Sequence, residues 1–266
     1  MDLKILLPPL VMFLIFAFSL SAGCVDLTPA QNEILTDVIS SLNETLTTTT
    51  NEARSAAELY AENPTAANGH QALATLYQRT TLTHDLLIAD EKGIVLTVYP
   101  NNIYGAIGKN LSSYPPKKED FADQDVYISE VMQLENGMDA YLLSVPIKIN
   151  GEYAGYISLS FDPYRLFGEE QQKVAEDGYN LWVMQADGVQ VYDQDVSEFG
   201  VNVLTDPNFE VTRDTAALVS ANPSGETSYV YTADTGTGDV VKNTIWNTLT
   251  FGGQTWKVVL TKSTPV

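Results

Sequence analysis

The 266-residue sequence holds one cysteine (Cys24) and two histidines (His70 and His84), so no disulfide can close within the chain. That scarcity leaves little material for a transition-metal site or a Cys/His catalytic pair. Basic residues are also few: 14 Lys and Arg stand against 34 Asp and Glu, for a net charge of -20. Phosphate binding needs clustered cations, and no stripe of Lys or Arg occurs, so no nucleic-acid partner is expected. An anionic lipid surface is disfavoured for the same reason. GxSxG, HExxH and paired-cysteine motifs are missing. Gly105-Ala-Ile-Gly108-Lys109-Asn110 lacks the spacing and the Ser/Thr of a phosphate loop. Asp193-Gln-Asp195-Val-Ser197-Glu198 opens like a calcium loop but has Glu198 at the glycine position and Leu204 where a bidentate Glu belongs. No enzyme activity, cofactor or metal site is therefore expected. The 44% hydrophobic and 18% charged composition is that of a folded chain.

What is present begins with an uncharged apolar run, Ile5 to Gly23, that ends directly before Cys24. Ala22-Gly23-Cys24, with Leu20 just upstream, resembles the lipobox of bacterial and archaeal lipoproteins, which implies lipidation at Cys24. The run is also long enough to stay in the bilayer as an anchor helix, or to be removed as an ordinary signal peptide. All three readings place Val25 onward outside the cytoplasm.

Thr28-Pro29-Ala30-Gln31 reads as a helix start, with a Thr N-cap and Pro at the first helical position. Leu35, Ile39, Leu42, Leu46, Thr49, Ala53, Ala56 and Tyr60 then recur in alternating steps of four and three, a seam on one helix face. Asn63-Pro64 ends it. The helix would be about 50 Å long at 1.5 Å per residue, and the threonines 47–50 mark a place for a kink. A shorter helix is predicted from about Asn68 to Arg79.

The remainder repeats. LLIADEKGIVL (86–96) aligns without gaps on LWVMQADGVQV (181–191), Gly93 meeting Gly188. Each reads as a strand, a tight glycine turn and a returning strand. Gly108-Lys109-Asn110-Leu111 echoes Gly200-Val201-Asn202-Val203, and IKINGEYAGYISLSF (147–161) matches LTFGGQTWKVVLTKS (249–263). Three features in one order predict a duplicated unit. The expected organisation is residues 1–23 as signal or anchor, 28–62 as a spine helix, 66–165 as one unit, 166–178 as a linker formed by a short helix with exposed charges, and 179–266 as a second unit.

These features together resemble the double Cache (dCache, tandem PAS-like) family of extracytoplasmic sensor domains. The residues that carry the likeness are Asp85 to Gly93, Ile107 to Leu111, Val126 to Ser129, Leu143 to Ile147, Asn150 to Gly155, Trp182 to Asp193, Ile245-Trp246 and Trp256-Lys257. The resemblance implies an α+β fold: a long N-terminal helix, then two units, each an antiparallel sheet with flanking helices. The sequence stops at Val266 without a second apolar span, so the stand-alone, membrane-tethered form is the expectation.

In that family small ligands are usually held in the membrane-distal unit, here the first. The segment Asp123 to Ser144 mixes aromatics, hydroxyls and carboxylates, as a small polar ligand requires. By resemblance it lines the pocket, which nominates Asp125, Tyr127, Ser129 and Tyr141, with Tyr99 and Tyr104 from the preceding strand and loop. Family members that bind amino acids clamp the ligand carboxylate with a helix-borne Tyr and Arg and a following Trp. Tyr77 and Arg79 are present without that Trp, so Arg79 is nominated for a carboxylate while an amine stays equally open. Trp182, Tyr192, Tyr229, Tyr231, Trp246 and Trp256 of the second unit are expected as core and rim. The expected function is a membrane-tethered extracytoplasmic small-molecule sensor at the cell surface, signalling through a separate receptor or kinase. The helix seam would pair with a second copy or with that receptor, or pack on its own sheets. The alternatives are a structural or adhesive surface module without a ligand, and a solute-capture lipoprotein serving a transporter.

Overall fold

A computed structural model describes residues 29–134, 137–232 and 239–266. The apolar run, Thr28 and Cys24 with its expected lipidation lie outside the described residues. Helix α1 (Pro29–Glu62) is one continuous rod. The threonine run does not break it. Thr47 and Thr48 face solvent, Thr49 and Thr50 face inward, and the Thr50 hydroxyl donates back to the Leu46 carbonyl at 2.8 Å. A buried hydroxyl satisfied within its own helix costs little. The seam faces the chain's own sheets: Leu35, Leu42, Leu46, Ala53, Ala56 and Tyr60 are all buried. Of the two readings of the seam, packing on the chain's own sheets is the one this structure realises. Helix α2 (Ala66–Arg79) follows, with the Thr65 hydroxyl capping it by accepting from the Asn68 amide at 3.3 Å.

The first sheet contains β1 (Thr83–Asp90), β2 (Val95–Tyr99), β3 (Tyr127–Ile128), β5 (Asp139–Ile149) and β6 (Glu152–Phe161) in the order β2-β1-β6-β5-β3, with β4 (Met132–Gln133) also paired to β5. The second contains β7 (Tyr179–Gln185), β8 (Gln190–Tyr192), β9 (Ser224–Thr232), β10 (Asp239–Phe251) and β11 (Gln254–Pro265) in the order β8-β7-β11-β10-β9. Counted within each unit, the path is the same, and all pairings are antiparallel.

The repeat extends to single hydrogen bonds. Gly93 N–H donates to Asp90 O and Leu111 N–H to Gly93 O; Gly188 N–H donates to Gln185 O and Val203 N–H to Gly188 O. Gly108 N–H donates to Val95 O as Gly200 N–H donates to Gln190 O. Both turn glycines have positive φ, 78° and 91°, and a β-carbon on Gly188 would lie 2.5 Å from Leu204 Cγ. Only glycine fits there without displacement.

Between the sheets in sequence lies α3 (Pro163–Ala175), capped by Asp162, whose carboxylate accepts the Tyr164 amide at 2.8 Å. The junction is this helix and the turn after it, where Glu169, Lys173, Glu176 and Asp177 are exposed, and the helix's opposite face packs into the core. Phe167 is fully buried, and Gln171 clamps the start of β7 by donating to Tyr179 O at 3.4 Å and accepting from Leu181 N–H at 2.6 Å. Buried Glu170 accepts from Ser41 of α1 at 2.7 Å and from Lys173 at 2.6 Å.

One apolar core joins α1, α3 and the inner faces of both sheets. The units also touch directly. Ile128 N–H donates to Gly252 O at 2.7 Å, Gln254 donates to Ile128 O at 3.2 Å, and the Trp256 indole donates to the Tyr141 hydroxyl at 2.8 Å. The tip of the β10–β11 hairpin is thus docked on β3 of the first unit. A second, smaller apolar cluster of Met184, Val203, Ala216, Val219, Trp246 and Val259 lies on the outer face of the second sheet, under α4 (Arg213–Ala221).

Candidate functional site

Side chains alternate along a strand, so each sheet offers an outer face turned away from α1. In the first unit that face carries a row of serines. Tyr127 pairs with Ser144, which pairs with Ser158. Ser144 donates to Ser158 at 2.9 Å, and Ser160 accepts from the Asp85 amide at 3.1 Å. Ser144, Ser158 and Ser160 are each no more than 4% exposed. These hydroxyls satisfy one another and the backbone.

Among the described side chains, the nominated residues of this unit are spread over both faces of the sheet. Tyr141 shares its face with Leu143 and Val145 in the α1-side core, whereas Tyr127 stands opposite Ser144 on the other face. Strand parity therefore separates the two tyrosines expected to wall one pocket. Tyr141 is fully buried, its hydroxyl held by Trp256 and Gln185, and burial pushes its pKa to about 12. Ser129 is buried, donating to Glu130 O at 2.7 Å and accepting from Leu142 N–H at 2.9 Å. Arg79 is exposed and pairs with Glu52 at 3.1 Å. Tyr99 packs between the rings of His70 and Tyr77, with centroids 5.4 and 5.1 Å away. Asp125 pairs with Lys148 at 3.2 Å beside a shallow depression of about 180 Å³ that Arg54 and Glu58 also line. Tyr104 lies on the turn segment Asn101–Ala106. Tyr127 alone is half-buried on the outer face, its pKa raised by burial and then by Asp120 and Glu130.

The second unit is different. Its outer face opens into a cavity of about 570 Å³, within the usual range for small-molecule sites. Asn180 and Trp182 of β7, Thr261 of β11, Lys242 of β10 and Tyr229 and Tyr231 of β9 form the floor. The segment after β8, Asp193 to Glu198, forms one wall. Asp206, Phe209, Val211 and Thr215 close it from the side of α4. Trp182 is fixed by its indole N–H donating to Thr261 at 3.1 Å, and Thr261 in turn meets Thr244 at 3.1 Å. Tyr229 and Tyr231 share a face because they are two residues apart on one strand.

Four carboxylates (Asp193, Asp195, Glu198 and Asp206) and one ammonium (Lys242) line this space. Burial raises the Asp193 pKa, the Asp195 amide opposing it with a 2.9 Å bond. Glu198 is also raised, first by burial and then by Asp193, against a 2.9 Å bond from Gln190. Asp195 goes the other way because the Ser197 hydroxyl and amide both donate to it, at 2.7 and 3.0 Å. Tyr229 is pushed up to about 12 by burial, then by Tyr231, Asp193 and Glu198. The cavity is therefore an aromatic-floored, electronegative space. Among the described residues no group of three or more His, Cys, Asp or Glu converges as a metal ion would need.

Trp182, Tyr229 and Tyr231, expected as core and rim, are lining residues; Tyr192, Trp246 and Trp256 are buried core. Sequence reasoning passed over the wall. Its signal was the acidic run 193–198 directly after the second β8 turn, together with the Tyr-x-Tyr spacing on β9.

Residues 30–163 match the sequence family described as HK/GC/Chemotaxis protein-like, sensor domain. The chain belongs to this family. The family is a sensory one, not a catalytic one. No curated protein sequence matches the chain significantly. Among solved structures it is similar to an extracellular ligand binding receptor from Desulfohalobium retbaense, at 20% identity and a TM-score of 0.70 over 89% of this chain, which spans 41% of that receptor. It is also similar to the ligand-binding domain of the Pseudomonas fluorescens chemoreceptor CtaA in complex with L-alanine (14% identity, TM-score 0.62, 88% of this chain and 96% of that one). A third is that of the Pseudomonas aeruginosa amino acid chemoreceptor PctB in complex with L-Gln (10% identity, TM-score 0.64, 89% and 90%). The fold is that of a double Cache sensor domain. Among the described residues no helix is long and apolar enough to cross a membrane.

Proposed function

We propose that this chain is an extracytoplasmic small-molecule sensor, held at the membrane through its N-terminal segment, which reports occupancy to a separate receptor or kinase. The observation that carries the reading is the cavity of about 570 Å³ on the outer face of the second unit, where the matching face of the first unit carries serines that bond to one another. Ligand is therefore assigned to the second unit, not to the first. The similar chemoreceptor domains hold L-alanine and L-Gln, which supports a ligand of that size.

The route out of the cavity follows the scaffold. Thr261 and Lys242 belong to β11 and β10, whose hairpin tip docks on Ile128 and whose Trp256 holds Tyr141. A ligand that prefers one setting of that hairpin shifts the first unit and α1 with it, in proportion to its differential affinity.

The test is a thermal-shift screen of the purified full chain against amino acids, carboxylates, amines, purines and Ca²⁺. A ligand at 100 times its Kd adds about 2.7 kcal/mol. The expected hit is lost in Trp182→Ala and kept in Tyr127→Ala. The opposite pattern returns the site to the first unit. Silence from a folded protein contradicts the sensor reading and favours a structural module. Tethering is checked separately: Cys24→Ser releases the chain from membranes if a lipid holds it, and leaves it bound if residues 5–23 remain as an anchor.

A further inference from the structure

The cavity of the second unit has a chemistry more specific than its size. Asp195 is engaged by Ser197, and Asp206 accepts the Asn208 amide at 2.8 Å, so both are committed to their own turns. Asp193 and Glu198 are set deeper in the wall. Among the described residues no Lys or Arg stands within ion-pair distance of either. Lys242 acts on Asp193 only through space, without an ion pair; partly buried carboxylates without a paired cation are costly, and the fold holds two of them near three aromatic rings. One of those rings already carries an ammonium: Lys242 Nζ lies 5.3 Å from the centre of Tyr231. Trp182 and Tyr229 offer the same kind of face, and aromatic faces attract cations.

We infer that this cavity takes a small organic cation, of the alkylammonium or polyamine class, without a carboxylate of its own. The inference rests on the reading of the cavity as the ligand site. A bare metal ion is the wrong shape for it, because the space holds many atoms and no three acids converge. A ligand carboxylate is the wrong sign, because among the described residues Lys242 is the one cationic side chain lining the space, beside four acids. The ammonium would sit between Asp193 and Glu198, its alkyl part on Trp182 and Tyr229.

The test uses two ligand pairs that differ in a single end group, titrated calorimetrically into the full chain. Putrescine is set against 4-aminobutyrate, and choline against glycine betaine; Ca²⁺ is a fifth probe. The cations are expected to bind at least about tenfold more tightly than their carboxylate counterparts, since like charge in a poorly solvated site is strongly disfavoured. Asp193→Asn keeps the oxygen that accepts the Asp195 amide, and should weaken the cation by about tenfold or more. Glu198→Gln is the second variant, and Glu176→Gln, on the exposed end of α3, should change nothing. Affinity should fall with added salt. It should also fall on acidification, and at a higher pH than ordinary carboxylates would give, because burial raises both Asp193 and Glu198. Asp195, Asp206, Lys242, Tyr229 and Tyr231 face the same space. Equal or tighter binding of 4-aminobutyrate and betaine overturns the inference, as does indifference to Asp193→Asn, or Ca²⁺ outcompeting the amines. If none of the five binds while the wider screen gives a neutral or anionic ligand lost in Trp182→Ala, the cation assignment fails and the sensor reading stands. If nothing binds at all, both fail.

Discussion

The two units share a strand order, a turn glycine and matched hydrogen bonds around it, yet they finish their outer faces in opposite ways. In the first, Ser144, Ser158 and Ser160 bond to each other or to backbone. In the second, Trp182, Lys242, Tyr229 and Tyr231 stand on that face and the space above stays open. A duplicated scaffold therefore fixes where a site can be, and the side chains of one face decide whether there is one. The inner faces tell the complementary story: both pour apolar residues into one core with α1, so the units differ in binding while sharing stability.

The largest expected effect tests that shared stability. Trp256 is fully buried and links the units through Tyr141 and Phe167. Trp256→Ala should cost about 3–5 kcal/mol and move a single unfolding transition, read by urea titration with fluorescence and far-UV circular dichroism together. Two separated transitions would mean that the units unfold independently and the common core is not cooperative. Next comes the contrast in outer faces. Tyr229→Ala should weaken ligand about tenfold or more through loss of an aromatic wall, while Tyr127→Ala should stay within about threefold, as substitutions away from a site do. The reverse order would make the first unit the binding one.

The smallest effect sharpens the comparison in the opposite direction. Burial raises the Asp193 pKa, so its ionised form destabilises the ligand-free fold at neutral pH, and that penalty disappears below the carboxylate's unfolded pKa. Asp193→Asn should therefore have a higher Tm than the parent at pH 7. The difference should shrink as pH falls toward 4, because the parent carboxylate is then protonated too. A variant less stable at every pH would show that Asp193 serves the fold rather than the ligand.

Much of the scaffold was legible in the sequence. The steps of the α1 seam are a helix-period signal, and Leu35, Leu42, Leu46 and Tyr60 are buried where that period puts them. Gly93 and Gly188 announced the duplication because a positive φ leaves few alternatives to glycine. The pocket was not legible. Tyr127 and Tyr141 fall in one polar, aromatic stretch, but β3 pairs Tyr127 with Ser144, which puts Tyr141 on the other side of the sheet. Such parity depends on register, which a lone sequence leaves open. Whether serines bond to one another or to a ligand is likewise settled by three-dimensional neighbours. The acidic wall at 193–198 was visible, but looked like a failed calcium loop until Tyr229 and Tyr231 were brought opposite it by the β9–β10 pairing.

The most direct measurement of the central claim is hydrogen–deuterium exchange on the full chain with and without a ligand found by the screen. The account predicts new protection in Asp193–Glu198 and in β9, Ser224–Thr232, with the first-unit segments Asn101–Phe121 and Tyr127–Gln133 affected less. Protection confined to those first-unit segments, with the second unit unchanged, would contradict it.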